Sequence, residues 1–271
     1  MKIEKHADLY RISDFGGIDL PLTLDCGQAF RWRLLPDLFW RGIAYGRQAD
    51  VSQQGDSLVF RGATREDIEN IWIDYFDLRR DYPGVLSSLC RDGAIRAAYE
   101  KYGCVRILNQ EPWEALCTFI LSSCNNIPRI KGLVERLCLN FGEKTGDGFA
   151  FPSADRLAAL PPGSLGVLRA GYRAPYIEDA ARSVASGNIS LETVRRLPLA
   201  EAERELMKIN GVGKKVADCT LLFGFGRLDC FPVDRHIRRI VGEKYPDGLP
   251  DCFRGAEGLA QQYLFCLARD V

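Results

Sequence analysis

The chain changes texture near Tyr82-Pro83, and that change limits the folds open to it. Between Leu9 and Arg61, short β-prone runs (18–24, 30–34, 39–44 and 57–60) are separated by turn residues. Alternation broken by Gly-containing connections predicts an antiparallel sheet. A helix is expected from Thr64, because Ile68, Ile71, Trp72, Tyr75 and Phe76 form an apolar face at helical spacing. Beyond Pro83 the chain reads as helix upon helix. Start signals and apolar stripes predict helices over 112–122, 127–141, 153–160, 175–186, 190–197, 199–209, 214–223, 233–245 and 253–268. No internal repeat or low-complexity segment interrupts them. The expected fold class is α+β, with an antiparallel sheet-plus-helix domain over 1–82 and an all-helical region over 83–271.

Composition narrows the function. At 46% hydrophobic and 27% charged the 271 residues suit a globular protein. No apolar run approaches the ~18 residues that cross a bilayer, and Met1 to Asp8 lacks the apolar stretch of a signal peptide. Ten cysteines lie at wide spacings with no Cys-x-x-Cys, several inside apolar helical patterns. They read as reduced core residues, which places the chain in a reducing cytoplasm, and two histidines leave little for zinc. Lys+Arg and Asp+Glu are 36 each, which excludes a protein that coats polyanions by bulk charge. The charge is unevenly spread, however. Residues 1–82 hold 11 basic and 14 acidic side chains, residues 83–271 hold 25 and 22, and 204–244 alone hold 9 and 5. Binding to a polyanion would rest on a few phosphates, each adding about 0.9 to the log–log salt slope.

The segment Leu206-Met207-Lys208-Ile209-Asn210-Gly211-Val212-Gly213-Lys214-Lys215-Val216-Ala217-Asp218-Cys219 carries the chemistry. One helix ends, two glycines flank a small apolar residue, and another helix begins. Glycines admit positive φ and close backbone approach, and N–H groups at a helix start fit a phosphate. By itself the turn is equally a structural αα-turn. Lys215 falls in the first turn of the second helix beside Lys214. A helix N-terminus, a neighbouring cation and burial all favour a neutral, nucleophilic amine. Nineteen positions on, Asp234 is placed to cap the next helix. Taken singly, Lys215 reads equally as a solvated lysine and Asp234 as a plain cap.

Together the hairpin, the lysine and Pro232-Val233-Asp234 resemble the helix-hairpin-helix, Gly-Pro-Asp superfamily of DNA glycosylases, and within it the eukaryotic-type 8-oxoguanine DNA glycosylase/lyases. Five segments carry the resemblance across nearly the whole chain: 26–32 (CGQAFRW), 119–130 (FILSSCNNIPRI), 171–174 (GYRA), the hairpin through Cys219, and 260–265 (AQQYLF). The resemblance implies a TBP-like amino-terminal sheet and an active-site cleft between helical lobes. It implies double-stranded DNA containing oxidised guanine as partner, with the target base flipped out.

By this resemblance Lys215 is the nucleophile at C1′ and forms a Schiff base, after which β-elimination cuts the strand. Asp234 stabilises positive charge on the sugar. Gly27, Cys219, Gln261, Phe265 and Phe119 form the damaged-base pocket. The Gly27 carbonyl accepts the N7–H that 8-oxoguanine has and guanine lacks, Gln261 reads the Watson–Crick edge, and Cys219 and Phe265 sandwich the ring. Cys124, Asn125, Asn126, Arg129, Tyr172 and Arg173 fill the gap and contact the orphaned cytosine. Gly211, Gly213, Lys214 and His236 contact phosphate, and the carbonyls of Met207, Ile209 and Val212 resemble a hairpin site for a monovalent or calcium ion. No other metal and no required cofactor is implied. Formamidopyrimidine-guanine is an implied second substrate, and a nucleoid-associated cytoplasmic monomer the expected form.

The chain departs from the family in having Cys124 where asparagine is usual. Cysteine donates weakly, so a relaxed opposite-base preference is expected. The rivals are another glycosylase of the superfamily, a non-catalytic hairpin module, and a helical solute-binding protein. Endonuclease III and adenine glycosylases usually carry four closely spaced cysteines near the carboxyl end for an iron–sulfur cluster, and only Cys252 and Cys266 lie there. Alkylated-base enzymes lack the hairpin lysine. A solute-binding protein leaves the five segments unexplained.

Overall fold

The computed structural model describes residues 1–269. Six strands, β1 (Lys2–His6), β2 (Leu9–Ser13), β3 (Arg33–Leu34), β4 (Trp40–Ala44), β5 (Arg47–Gln54) and β6 (Ser57–Arg61), form one antiparallel sheet in the order β1-β2-β6-β5-β4-β3. Helix α1 (Leu20–Asp25) interrupts the strands, and α2 (Arg65–Asp67), a π-turn and α3 (Ile73–Tyr75) follow them. The mixed α+β class expected from the sequence is the class observed.

Two of the β-prone runs behave otherwise than expected. The 18–24 run is helical, because Asp19 caps α1 by accepting the Leu22 N–H at 2.9 Å and Pro21 sits in the first turn, where its missing N–H costs nothing. Its alternating leucines imitate strand periodicity over too short a span to discriminate. The 30–34 run pairs only at its last two residues. Thr64 opens α2 with a reciprocal capping box to Asp67. The expected apolar face then buries Ile68, Trp72 and Phe76 completely against the sheet, with the Trp32 indole donating to the Tyr75 hydroxyl at 2.8 Å.

The helical part runs through α4 (Tyr82–Leu89), α5 (Gly93–Tyr102), α6 (Pro112–Ser122) and α7 (Ile127–Phe141) to a small hairpin, β7 (Lys144–Thr145) and β8 (Gly148–Phe149). It continues through α8 (Ala154–Ala158), a 3-10 turn, α9 (Arg173–Ala185), α10 (Leu191–Arg196), α11 (Leu199–Leu206), α12 (Lys214–Phe225), α13 (Arg235–Lys244) and α14 (Glu257–Arg269). Helices α6 and α7 have the expected limits. Helix α11 stops three residues early, and α14 starts four residues late, after a 3-10 turn over Asp251–Phe253.

The apolar side chains form two clusters, one behind the sheet and one among the helices. The segments 26–30 and 104–110 knit them together, since Cys26 and Phe30 pack with the helices while Leu108 packs with the sheet. Gln28 is fully buried. Its amide donates to the carbonyls of Thr23 (2.9 Å) and Arg106 (2.8 Å) and accepts the Leu108 N–H (2.8 Å), which fixes the backbone beside Gly27. Arg106, also fully buried, donates to the carbonyls of Phe15, Gly17 and Asp77. Arg31 and Glu114 form an ion pair of 3.1 Å in which both side chains are nearly closed off from solvent.

Candidate active site

Helices α11 and α12 meet at the glycine turn with Leu206, Ile209, Val212 and Val216 buried beneath it. Gly211 has φ +82°, and a Cβ there would stand 2.3 Å from the Tyr176 ring, so only glycine fits. Gly213 has φ −93° and ψ 179°, so it does not use the positive φ expected of both glycines. Its contribution is bareness: nothing lies within 4 Å of where a Cβ would stand, and no side chain caps α12. The first N–H groups of α12 are therefore open to an anion. Helix α9 braces the turn, since Asp179 accepts the Asn210 N–H at 3.1 Å.

The two neighbouring lysines have different surroundings. The Lys214 ammonium is bonded to Glu203 (3.0 Å) and Asp218 (3.0 and 3.2 Å), so the cation expected beside Lys215 is already neutralised. Burial pushes the Asp218 carboxyl up to about 6 although Lys214 pulls it down. Lys215 is half-buried. Its Nζ donates to the Ser122 Oγ at 3.1 Å and lies 5.3 Å from the centre of the Phe119 ring. That ring stacks on Phe223 at 5.3 Å. One helical turn after Lys215, the buried Cys219 thiol is raised to about 11 by burial; Lys215 pulls it down, while Asp218 and Asp234 push it up. Cys219 thus lies within the fields of both expected catalytic groups. Asp234 caps α13 through Oδ1, accepting the N–H groups of His236 (2.9 Å) and Ile237 (2.8 Å).

Gly27, φ +94°, approaches α7 and α14 closely. A Cβ there would lie 2.9 Å from Ile127 Cδ1 and 3.6 Å from Phe265 Cε1. The Phe265 ring meets His236 edge-on at 6.2 Å and lies under the Arg269 guanidinium at 5.6 Å. On α14, Gln261 is 6% exposed and its Oε1 has no hydrogen-bond partner among the described residues. A buried, unanswered acceptor is costly, about 1–3 kcal/mol, unless a ligand satisfies it.

The residues expected across the duplex gather at the α6–α7 turn. Cys124 is exposed with φ +48°. Asn125 donates to the Leu121 carbonyl, and Asn126 caps α7 by accepting the Arg129 N–H, each at 3.0 Å. Tyr172 is exposed, its hydroxyl donating to the Ser123 carbonyl at 3.3 Å. Arg173, expected to face cytosine, is only 4% exposed. Its guanidinium donates to the carbonyls of Ser123, Cys124 (3.0 Å) and Ala170 (3.3 Å), and so clamps the turn. Arg129 is exposed. His236 accepts from Arg235 Nε at 3.2 Å. In the hairpin the Ile209 carbonyl accepts the Val212 N–H at 3.1 Å, which leaves it one lone pair. Ser122, Ile127, Asp218 and Tyr176 also touch this machinery, and of their contacts only the Lys214–Asp218 spacing of four is legible in the sequence.

A cleft of about 390 Å³ between β3, β4, α7 and the β7–β8 hairpin is lined by none of these residues. Its two side chains without an ion pair among the described residues, Arg33 and Glu135, have opposite signs.

A glycine hairpin, a lysine opening its second helix and an aspartate capping the next define the class of helix-hairpin-helix DNA glycosylases. Residues 13–116 match the 8-oxoguanine DNA glycosylase N-terminal domain family. A solved structure described as MBOgg1 in complex with a low-affinity DNA ligand superposes with TM-score 0.93 and 38% identity, covering 99% of this chain and 98% of that one. The Clostridium acetobutylicum 8-oxoguanine glycosylase/lyase, bound to double-stranded DNA with cytosine opposite 8-oxoG, superposes with TM-score 0.93 and 32% identity, covering 100% and 98%. The N-glycosylase/DNA lyase of Saccharomyces cerevisiae is 41% identical over 157 residues, 52% of this chain and 42% of the yeast protein. The match to its Arabidopsis thaliana counterpart spans 65% of that protein, so the chain covers less than two thirds of either of these curated relatives. The chain belongs to the 8-oxoguanine DNA glycosylase/lyase family.

Proposed function

We propose that this protein excises 8-oxoguanine, and formamidopyrimidine-guanine, from duplex DNA and then cuts the strand through a Schiff base on Lys215. The observation that carries the reading is the position of Lys215: its amine is held on Ser122 and Phe119, with Cys219 feeling both it and Asp234. The neutral amine attacks C1′, the glycosidic bond breaks, and the base leaves with the bonding pair and takes up a proton. Asp234, whose Oδ2 has no hydrogen-bond partner among the described residues, offsets positive charge growing on the sugar. Ring opening gives the Schiff base, which acidifies C2′–H. Loss of that proton expels the 3′ phosphate, and hydrolysis frees the lysine.

Recognition needs the base outside the stack. The Gly27 carbonyl accepts N7–H, and an intact guanine would place a lone pair against it instead. The unpartnered Gln261 Oε1 accepts from the Watson–Crick edge, and Phe265 and Cys219 flank the ring. Gly211, Gly213 and the open N–H groups of α12 receive a phosphate, joined by His236 and by Lys214 if it exchanges a carboxylate for DNA. A monovalent or calcium ion on the carbonyls of Met207, Ile209 and Val212 would strengthen the same contact. Cytosine opposite the lesion is read by the α6–α7 turn through Cys124, Asn125, Asn126 and Arg129 together with Tyr172, while the buried Arg173 holds the backbone of that turn in place.

Borohydride trapping on an 8-oxoguanine duplex is the test. A covalent adduct is expected, and Lys215→Gln abolishes it. No adduct with any oxidised-purine duplex would leave the protein a hairpin module that only holds DNA.

A further inference from the structure

We infer that Ser122 is a positioning residue for Lys215, aiming its amine rather than merely closing α6; the inference rests on the nucleophile assigned above. The Ser122 hydroxyl has one hydrogen and two lone pairs. Its hydrogen is committed to the Phe119 carbonyl at 2.7 Å, so it turns only lone pairs toward Lys215 Nζ at 3.1 Å. Lys215 must therefore be the donor whether charged or neutral. The neutral amine spends one N–H on Ser122, which directs its own lone pair away from α6. A free lysine carries several rotatable bonds and would have to find that orientation in each turnover.

The platform beneath this contact is rigid. At the far end of the helix pair, a Cβ on Gly224 would stand 3.0 Å from the Ala115 Cβ and 3.1 Å from the Pro112 Cα, so α6 and α12 touch almost backbone to backbone. In the middle Phe119 stacks on Phe223, and at the near end Arg173 and Tyr172 hold the Ser123 carbonyl. With both ends fixed, the distance between the Ser122 and Lys215 backbones is set by the fold, and the hydroxyl that is anchored on Phe119 presents its lone pairs to the amine at a fixed place. A serine that only bonds its own helix would leave the nucleophile indifferent to its loss.

The experiment compares wild type, Ser122→Ala and Ser122→Thr in single-turnover excision of 8-oxoguanine, with borohydride trapping, duplex affinity and melting temperature measured on each. Misplacing the amine is expected to slow excision and trapping in Ser122→Ala by roughly 10- to 100-fold. Duplex affinity and melting temperature should stay at the wild-type values, and Ser122→Thr, which keeps the hydroxyl, should recover most of the rate. Undiminished excision by Ser122→Ala overturns the inference while wild type still traps, as does a rate loss that merely follows lost affinity or folding. A wild-type protein that forms no adduct overturns the proposed function, and this inference with it.

Discussion

Replacing Cys124 by asparagine should improve both the stability of the protein and its choice of opposite base. Cys124 sits in the left-handed region at φ +48°, which costs an L-residue roughly 1–2 kcal/mol, and asparagine tolerates that region better than most. Recovering about half of the strain gives about 0.5–1 kcal/mol, or roughly 1–4 °C in melting temperature for a chain of this size. Cys124 is exposed, so the longer side chain meets no packing penalty. If the asparagine amide reaches the orphaned cytosine, a neutral hydrogen bond of about 0.5–1.5 kcal/mol corresponds to a roughly 2- to 12-fold gain in the preference for cytosine. Single-turnover excision with C, A, G and T opposite the lesion reads the second effect, and thermal melting reads the first. Unchanged rate ratios would refute the reading of Cys124 as a weak opposite-base contact. An unchanged melting temperature would refute the strain argument.

Gly27→Ala should fold with a melting temperature lowered by roughly 2–8 °C, from about 1–2 kcal/mol of positive-φ strain. It should lose far more excision than stability, because the methyl crowds Ile127 and Phe265; excision at the wild-type rate would remove Gly27 from the pocket. Asp218 has a folded-state value near 6 against an ordinary 3.8, so the fold binds the extra proton and stability falls as pH rises from about 4 to about 6. Asp218→Asn should remove that share, so that the melting temperature of wild type, relative to the variant, drops across this window; parallel profiles would contradict the assignment.

Punctuation made much of the fold readable. Pro112 opens α6, and Asn126 with Pro128 opens α7, so both helices have the limits the residues announce. Where the pattern was short it misled: the alternation in 18–24 fits a strand until the Asp19 cap is seen. The candidate site shows the same division. The positions of Gly211, Lys215 and Asp234 could be read from local spacing, since each is fixed by the backbone conformation or helix turn it occupies. Three other features depend on partners remote in sequence. Lys214 is neutralised by Glu203 eleven residues earlier, Arg173 spends its donors on a turn 50 residues away, and Ser122 meets Lys215 across 93 positions. No periodicity encodes such contacts; they exist only once α6, α9, α11 and α12 have packed.

The end of α6 joins duties that the rest of the molecule keeps apart. Ser122 holds the amine and Ser123 is gripped by Arg173, with a single peptide bond between them. Rotating that plane cannot disturb one without moving the other. If the proposed roles hold, the turn facing the intact strand and the amine aimed at the damaged one share a fulcrum, and a mispaired partner that displaced the turn would register at Lys215 as misalignment rather than as weaker binding.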